Sequence, residues 1–455
     1  MASETPALTG MLATFVADTP SAAIPQATIE PAKNVILDTI GVALAASARS
    51  IGQVVAQHVA ENAGTPETAT VLGSGVRASA PMAALANGTL ANALDFDDGS
   101  HLSTHILPAA LAIAEHHGLP GRRTLDAFIL AYEASARLTQ AIDFKRRQNG
   151  GPTHRGWWHV GLVGPIAAAM TASRLLDLDA RQTATAMGIA SCSSGGFRRN
   201  MGTMAKALHS GNAARAGVEA AMLARRGFTA DAAIIEAPLG FLQAVVSPED
   251  RDLAAITDRL GRPYVFEGAL RIKRYPACNP GHPLIDAALR LVTDRGVNAD
   301  VIDSIEADLH TFSLLRPEPW DDESAGFSGA FLIAATLVHG DFTLDELSDR
   351  TVHDPRVQSL MKRIRHVPAG EPETVRVLMR DGRKETIDVR PVSRLSARDE
   401  IVAKFRRCAE PAIGLKATET VQQQVLKLGD QPDIKRLMAA ASRALVPAGD
   451  RGESS

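Results

Sequence analysis

The sequence predicts a mainly α-helical fold with a smaller α+β domain. Apolar residues recur at three- and four-residue spacing through the first half of the chain, as on the buried face of a helix. From about residue 268, short segments alternate between apolar and polar residues, as in half-buried strands. A helical pattern returns at residue 396. We therefore predict a large helical domain built from residues 1–267 and 396–455, with an α/β domain at 268–395.

The helices of the first half are predicted from the spacing of their apolar residues. Residues 26–46 place one apolar stripe on a helix, and residues 80–94 and 124–142 repeat the pattern. Gly227 follows two arginines, as a glycine C-cap does after a helix whose dipole favours cations at its end. Further helices are predicted at 161–175, 179–191, 203–226 and 230–236.

The α/β domain is predicted from a strand pattern and a hairpin. Apolar residues alternate through 303–311, and they alternate again on both sides of Asp381-Gly382 within 374–390. Asp-Gly suits the positive φ angles of a tight turn, so these residues predict a hairpin. The next helix, 396–408, is predicted to begin with Ser396 as its N-cap. Helices between the strands are predicted at 282–296, 328–338 and 355–364.

The composition limits the class of protein. The formal net charge of the 455 residues is −3, which argues against nucleic-acid or membrane partners because these select strongly basic patches. We find neither a signal-peptide pattern nor a span of about 20 apolar residues. The sequence has an odd number of widely spaced cysteines, Cys192, Cys278 and Cys408, which argues against a disulfide framework. We therefore expect a reducing, cytoplasmic location.

The densest group of reactive side chains is the segment 95–105, DFDDGSHLSTH. Three carboxylates and two imidazoles lie within these eleven residues, before a helix predicted to begin near Pro108. Histidine titrates near neutral pH and a neighbouring carboxylate can orient it, so this segment favours acid–base catalysis or binding. Two alternatives remain open. The aspartates could cap helices, or His101 and His105, four residues apart, could bind a metal.

Two further segments contribute candidates. His159 follows two adjacent tryptophans, which can form the wall of a pocket or anchor a surface loop. Arg198, Arg199 and Lys206 lie in a cationic loop that leads into a helix, whose first amides favour anions. These cations could neutralise substrate carboxylates. The alternative is an ordinary solvated basic loop.

The segment 272–283, IKRYPACNPGHP, lies at the predicted domain junction. It contains Lys273 and His282, and a cleft between domains is a favoured place for a small-molecule site. Cys278 is interpreted as structural because no flanking pattern marks a nucleophile. The sequence contains no dinucleotide-binding GxGxxG unit, Walker loop, GxSxG elbow or HExxH motif, so nucleotide-dependent and serine-hydrolase chemistry are not expected.

These segments, in this order, resemble the MmgE/PrpD family. The similarity covers nearly the whole chain and is specific as a set: ALDFDD at 93–98, GTMAKALHSGNAARAG at 202–217, RRGFTA at 225–230, IKRYPAC…GHPLIDAAL at 272–289 and HDPRV at 353–357. The resemblance implies a helical domain built from both chain ends, an α/β lid domain, a homodimer and no obligatory cofactor. It also implies 2-methylcitrate dehydratase, cis-aconitate decarboxylase or iminodisuccinate epimerase activity.

The resemblance also implies roles for individual residues. Asp95 matches the acidic site residue, Lys206 a site lysine, Lys273 and His282 the basic pair of the domain junction, and His159 the histidine of the tryptophan-rich loop.

The family's histidine after DFDD matches one of two residues. Counting from Asp95 gives His105, whereas counting back from Leu107-Pro108 gives His101 and also matches Ser103. We prefer His101. The chain departs from the family pattern at Gly99, Leu102, Gly326 and Phe331, which bears on the substrate rather than the fold.

We therefore expect acid–base chemistry on a small polycarboxylate. Lys206, Lys273 and one of Arg198 or Arg199 would hold the substrate carboxylates, because fixed cations stabilise negative charge that builds up on an anionic substrate. The two histidines, His159 and His101 (or His105), would act as base and acid.

In this scheme Asp95 would orient one imidazole and His282 would close the site. The first expectation is a dehydratase of a 2-methylcitrate-like hydroxy acid. The alternatives are an epimerase of an iminodisuccinate-like dicarboxylate, a cis-aconitate-type decarboxylase and a non-catalytic carboxylate-binding protein.

Overall fold

The computed structural model describes residues 7–142, 155–268, 272–308, 315–367 and 373–442. They are mainly helical with a small α+β part, which confirms the predicted fold class. The helices before residue 268 are α1 (Leu8–Asp18), α2 (Gln26–Ser47), α3 (Ser50–Glu61), α4 (Ala80–Ala93), α5 (Ser103–His117), α6 (Gly121–Ala141), α7 (His159–Leu175), α8 (Ala180–Ser191), α9 (Met204–Arg225), α10 (Phe241–Val245) and α11 (Ala254–Thr257), with a two-stranded sheet of β1 (Ala69–Thr70) and β2 (Arg77–Ala78).

Two expectations for the first half are wrong. Residues 230–236 form turns, because the backbone N–H of Ile235 donates to Thr9 Oγ1 and Pro238 cannot continue a helix. Helix α5 begins at Ser103 instead of near Pro108, which lies inside the helix. The earlier start is possible because Asp98 Oδ2 accepts from the backbone N–H of Ser103 at 2.9 Å.

Residues 275–389 contain the α+β part. Its four-stranded sheet has the order β4-β3-β5-β6, in which β4 is parallel to β3 and the other neighbours are antiparallel. Helix α12 packs on β5, β6 and α14. The elements are α12 (His282–Thr293), β3 (Ile302–Asp308), α13 (Asp322–Ala325), α14 (Gly329–His339), α15 (Asp349–Val352), α16 (Pro355–Met361), β4 (Ile364–Val367), β5 (Thr374–Met379) and β6 (Lys384–Asp388).

The predicted hairpin is confirmed. β5 and β6 pair from Thr374 with Asp388 to Leu378 with Lys384. The loop between the strands is longer than a two-residue turn, and within it Gly382 takes a positive φ of 87°. Glycine adopts this angle without the steric cost that a Cβ atom brings.

The carboxy-terminal helices return to the first part of the chain. They are α17 (Arg398–Ile413), α18 (Leu415–Leu426) and α19 (Lys435–Ala441). Helix α17 packs on α2. The expected Ser396 cap is wrong, because α17 begins two residues later with Ala397 at the N-cap and no side-chain cap.

The two largest hydrophobic clusters among the described residues lie in different parts of the chain. One combines residues between Leu8 and Ile272 with residues between Leu395 and Ala441. The other contains residues between Tyr275 and Ile387. The domain bounds 1–267, 268–395 and 396–455 stay a prediction, and the segment that joins the two clusters at 272–282 carries two of the candidate site residues.

The backbones of helices α4 and α9 come into close contact where the two helices cross. A Cβ atom on Gly211 of α9 would lie 2.2 Å from Thr89 Oγ1 and 2.3 Å from the Leu85 carbonyl oxygen of α4. A glycine is therefore required at this crossing, since any side chain would push the helices apart. The contact matters for function because α4 leads directly into Asp95 and α9 carries Lys206.

In the described part of the chain, no helix on its own has the length and apolar character needed to cross a membrane. The pair Gln26–Ser47 and Ser50–Glu61 meets that test only when the two are taken together, with a bend of 88° between them.

Candidate active site

The loop after α4 holds two residues in an unusual backbone conformation. Asp95 has φ 49° and His101 has φ 59°, in the left-handed region that non-glycine residues seldom adopt. Both side chains are buried, at 5% and 4% exposure. Such backbone strain, of order 1–3 kcal/mol per residue, persists where surrounding contacts enforce it and is often found at functional sites.

The carboxylate of Asp95 lies between two buried lysines. Lys206 Nζ is 2.5 Å from Asp95 Oδ1, and Lys273 Nζ is 2.9 Å from Oδ2. Lys206 also donates to the Asn92 carbonyl at 2.9 Å, and Lys273 to that of Asp95 itself at 2.7 Å. Burial on its own would raise the pKa of Asp95, but Lys206, Lys273 and His101 outweigh it and hold the pKa well below its usual range. Asp95 is therefore a fixed anion.

His101 is oriented by two carboxylates. Its Nδ1 lies 2.7 Å from Asp97 Oδ2, and its Nε2 lies 3.6 Å from Asp95 Oδ1. Burial opposes the charge of Asp97, but His101, Lys273 and Lys206 overcome it and lower the pKa of this carboxyl. Because Asp97 is an anion that can only accept, His101 carries a hydrogen on Nδ1 and presents Nε2 to the Asp95 side.

His159 begins α7 and faces the same loop. Its Nε2 lies 2.9 Å from the carbonyl oxygen of Ser100, and its ring centroid is 6.0 Å from that of His101. Burial, followed by repulsion from His101, lowers the pKa of His159 to about 4. The ring is therefore neutral near pH 7. Since a carbonyl only accepts, Nε2 carries the hydrogen and Nδ1 the lone pair.

The structure does not bring His105 and Ser103 to the Asp95 cluster. Ser103 is fully buried and accepts a hydrogen bond from Thr39 Oγ1 at 2.8 Å. His105 is fully buried, and neither ring nitrogen has a partner among the described residues. Burial, then His159, lowers the pKa of His105 to about 3. Of the two loop histidines, His101 is the one at the ion pairs.

His282 lies at the junction of the two hydrophobic clusters, and both ring nitrogens contact protein groups. Nε2 is 3.2 Å from the Ala277 carbonyl, and Nδ1 is 3.2 Å from Nη1 of Arg394. Burial, then Lys273 and Arg394, lowers its pKa well below the ordinary histidine value. His282 is therefore a neutral ring that accepts from Arg394 and donates to Ala277.

Arg394 extends this connection to the loop that follows α4. It donates to Asn279 Oδ1 at 2.6 Å, and Asn279 Nδ2 donates to the Gly99 carbonyl at 3.2 Å. Sequence reasoning missed both residues. Asn279 lies inside a segment it singled out, whereas Arg394 has no sequence signal that links it to His282.

The arginines of the cationic loop lie at the surface. Arg199 is exposed, and Arg198 is half-buried with its backbone N–H bound to the Gly156 carbonyl. Beside them, Phe197 stacks on Trp157 with ring centroids 5.2 Å apart. Lys206, one turn into α9, is thus the cation of this segment that the structure brings to Asp95.

Lys404 binds the backbone of the loop that carries Asp95. It was not identified from the sequence. This residue of α17 is 1% exposed, pairs with Asp38 Oδ1 of α2 at 2.7 Å and donates to the carbonyl oxygens of Phe96 and Lys273. Burial raises the pKa of Asp38 to about 6, and Lys404 limits that rise. One buried cation thereby fixes the two backbone segments on which Asp95 and Lys273 lie.

An apolar wall adjoins the histidines. Trp158, Met201, Cys278 and Phe327 form one buried cluster, and the Trp158 ring lies 5.4 Å from His101. Burial, then Asp95, raises the pKa of Cys278 to about 12, so the residue is a neutral thiol that packs as an apolar side chain. Its structural interpretation agrees with this environment.

The donor atoms fit a metal ion poorly. Among the described residues, the set close enough to share an ion is Asp95, Asp97 and His101, which does not include His105. Both oxygens of Asp95 already contact lysine ammonium groups, and Asp97 Oδ2 contacts His101. Two ammonium charges at the same carboxylate would repel a divalent cation.

Comparisons with known proteins identify the family of the chain. Family models described as the MmgE/PrpD N-terminal domain and C-terminal domain match residues 10–254 and 275–429. Cis-aconitate decarboxylase of Homo sapiens is 27% identical over 435 residues, covering 89% of this chain and 88% of the relative.

The same enzyme of Mus musculus is 28% identical over 438 residues, with 89% and 87% covered. That of Aspergillus terreus is 25% identical over 458 residues, with 91% and 92% covered. The resemblance noted in the sequence is confirmed, and the chain belongs to the MmgE/PrpD family.

Proposed function

We propose that this chain is a lyase acting on a small polycarboxylate, and that its reaction is the decarboxylation of an unsaturated tricarboxylate of the cis-aconitate type. The observation that carries the proposal is the buried ion cluster in which Lys206 and Lys273 hold Asp95 beside His101. The names of the similar proteins support the choice of reaction.

The two lysines supply donors for an anionic substrate. An ammonium group has three N–H bonds, and for each lysine the described contacts use two of them. A substrate carboxylate can therefore bind both lysines without displacing Asp95, and burial strengthens that attraction.

The apolar wall supports loss of carbon dioxide. A carboxylate that leaves as neutral CO2 loses its charge. Contact with the apolar side chains of Trp158, Phe327 and Met201 therefore favours the less charged transition state over the charged ground state. When the C–C bond breaks, its electron pair moves into the conjugated system of the remaining carboxylates. Lys206 and Lys273 stabilise this extra negative charge, and a proton then adds to carbon.

His101 and His159 divide the proton transfers. Asp97 accepts from Nδ1 of His101 and orients its ring, which suits Nε2 to deliver the proton. His159 is neutral and has a lone pair on Nδ1, which suits it to accept one.

Dehydration of a 2-methylcitrate-like hydroxy acid is the second candidate. This reaction requires one proton taken from carbon and one given to the leaving hydroxyl. The two imidazoles, 6.0 Å apart, are near enough to act on opposite ends of one small substrate.

Incubation in D2O with separate polycarboxylates, followed by NMR, tests the proposal. Cis-aconitate is expected to release carbon dioxide and give a product with deuterium on carbon, whereas His101→Asn is expected to abolish the conversion. Alkene formation from 2-methylcitrate would replace decarboxylation by dehydration. Exchange of a substrate proton without net conversion would identify an epimerase. If no compound reacts but the same compounds raise the melting temperature, the chain is a binding protein and the proposal is wrong.

A further inference from the structure

Trp158 has a buried hydrogen-bond donor that the mechanism above does not use. Its side chain is 9% exposed, and Nε1 has no hydrogen-bond partner among the described residues. A buried indole N–H normally finds an acceptor, because leaving it without one forfeits the hydrogen bond it would make with water. The apolar cluster of Met201, Cys278 and Phe327 around the ring would be served equally well by a phenylalanine.

The ring lies beside both proposed acid–base groups. Its centroid is 4.5 Å from that of His159 in an edge-on arrangement and 5.4 Å from that of His101. Trp158 is the N-cap residue of α7, and its backbone N–H donates to the Gly196 carbonyl at 3.0 Å. The indole thus contacts both imidazoles and belongs to the same buried cluster as Cys278 and Phe327.

We propose that the indole N–H of Trp158 donates a hydrogen bond to a carboxylate oxygen of the bound substrate. The inference rests on the proposed function, since it requires a polycarboxylate at the histidines. Indole is a donor only, so it selects an acceptor group. It is also uncharged, so it can hold a carboxylate at the apolar wall without the charge stabilisation that a lysine gives.

The uncharged indole and the charged lysines then bind different carboxylates of the substrate. The lysines bind the carboxylate that stays and becomes more negative, and Trp158 orients a carboxylate on the side of the apolar wall. Trp158 therefore determines specificity: it favours substrates with a carboxylate at that position over analogues in which it is absent.

The kinetic test is Trp158→Phe, which keeps the ring and removes the N–H. The matched control is Trp157→Phe, at the neighbouring residue whose ring stacks on Phe197. With cis-aconitate we expect KM to rise about 10-fold or more for Trp158→Phe, with kcat unchanged or raised, because the lost hydrogen bond is to a carboxylate whose negative charge decreases as it leaves. In the control Trp157→Phe, KM and kcat should both equal the wild-type values.

An NMR measurement observes the hydrogen bond directly. The chain has three tryptophans, so protein labelled with nitrogen-15 in the indole gives three side-chain N–H signals, and the Trp158→Phe spectrum identifies one of them. Saturating tricarballylate, a saturated tricarboxylate that lacks the reactive double bond, should move the Trp158 proton signal downfield and leave the Trp157 signal in place.

The outcomes separate this inference from the function it rests on. If wild-type protein converts cis-aconitate but Trp158→Phe has an unchanged KM, or the indole signal stays in place while tricarballylate raises the melting temperature, the inference is wrong and the function stands. If the wild-type protein neither converts cis-aconitate nor binds tricarballylate, both are wrong.

Discussion

The contacts of Asp95 suit it to act through its charge rather than as a proton carrier. Its contacts with Lys206 and Lys273 keep it ionised throughout the range in which an enzyme works. Because its pKa lies well below the usual range, the carboxylate is a weak base and is poorly suited to take a proton from the substrate. We expect it to hold the two ammonium groups in place and to present a negative charge to His101.

At the residue scale, His159→Ala tests the acid–base assignment. We expect kcat to fall about 10²–10⁴-fold, the usual contribution of a positioned acid or base. The fold should persist because α7 continues through an otherwise apolar helix. Turnover assays and circular dichroism measure the two effects. The control is His58→Ala, at an exposed histidine of α3, which should keep full activity. A His159→Ala protein with unchanged kcat would contradict the assignment.

The sequence singled out the residues that cluster around Asp95 better than the residues that hold them in place. His101, Asp95 and Lys206 were found because polar side chains are unusually dense where a helix meets a loop. Lys404 and Arg394 were missed because their partners lie more than a hundred positions away in sequence, a separation that no local pattern reveals.

At the scale of elements, the crossing of α4 and α9 sets the position of Lys206 relative to Asp95. Gly211→Ala places a methyl group against the backbone and side chain of α4. We expect a loss of about 1–3 kcal/mol in the free energy of unfolding, typical of overpacking, together with reduced activity. Denaturant unfolding and a turnover assay measure them.

Gly10→Ala in α1 is the matched control for Gly211→Ala. No atom lies within 4 Å of the added methyl group at that position. This substitution should raise stability by up to about 1 kcal/mol, the helix propensity difference between glycine and alanine. Equal effects of the two substitutions would show that the helix crossing is not tightly packed.

Lys404→Met tests how α17 supports the site. The substitution leaves Asp38 buried without its cation, so we expect a loss of about 3–5 kcal/mol in the free energy of unfolding. Adding Asp38→Leu should restore most of the stability, because an apolar pair can replace a buried ion pair. Activity should stay low in the double variant, since the carbonyls of Phe96 and Lys273 still lack their donor. A fully active double variant would contradict this role.

Element boundaries were predictable where apolar periodicity alone decided them. Helices α2, α4, α7 and α9 begin within about two residues of the predicted positions. Two of the failures have tertiary causes. Thr9 Oγ1 accepts a hydrogen bond from the backbone N–H of Ile235, and Asp98 accepts one from the backbone N–H of Ser103, where α5 begins five residues before Pro108. Neither contact is visible in the local pattern.

At the scale of the whole molecule, neutral histidines in the interior make stability depend on pH. The folded pKa of His105 is about 3 and that of His159 about 4, against 6.5 in the unfolded chain. Below pH 6.5 the unfolded chain therefore binds protons that the folded chain rejects. The stabilising contribution of each is full above pH 6.5 and is lost as pH falls toward the folded pKa.

His105→Leu isolates one of these contributions. Leucine has a similar size, and the histidine nitrogens have no described partner to lose. The stability of the variant relative to wild type should increase by about 1.4 kcal/mol for each pH unit below 6.5, until the pH nears 3. Urea unfolding of both proteins at pH 7 and pH 5 measures this difference. If the difference in unfolding free energy between the variant and the wild type is the same at pH 7 and at pH 5, His105 is not buried in its neutral form.

The contact between Lys404 and Phe96 has a consequence for synthesis. The two residues are 308 positions apart in the chain. At roughly 5–20 residues per second, a ribosome needs on the order of 15–60 s to progress from one to the other. During that time the loop that bears Asp95 has left the exit tunnel without the cation that fixes its backbone. We therefore expect the nascent chain to remain inactive until its last helices are translated.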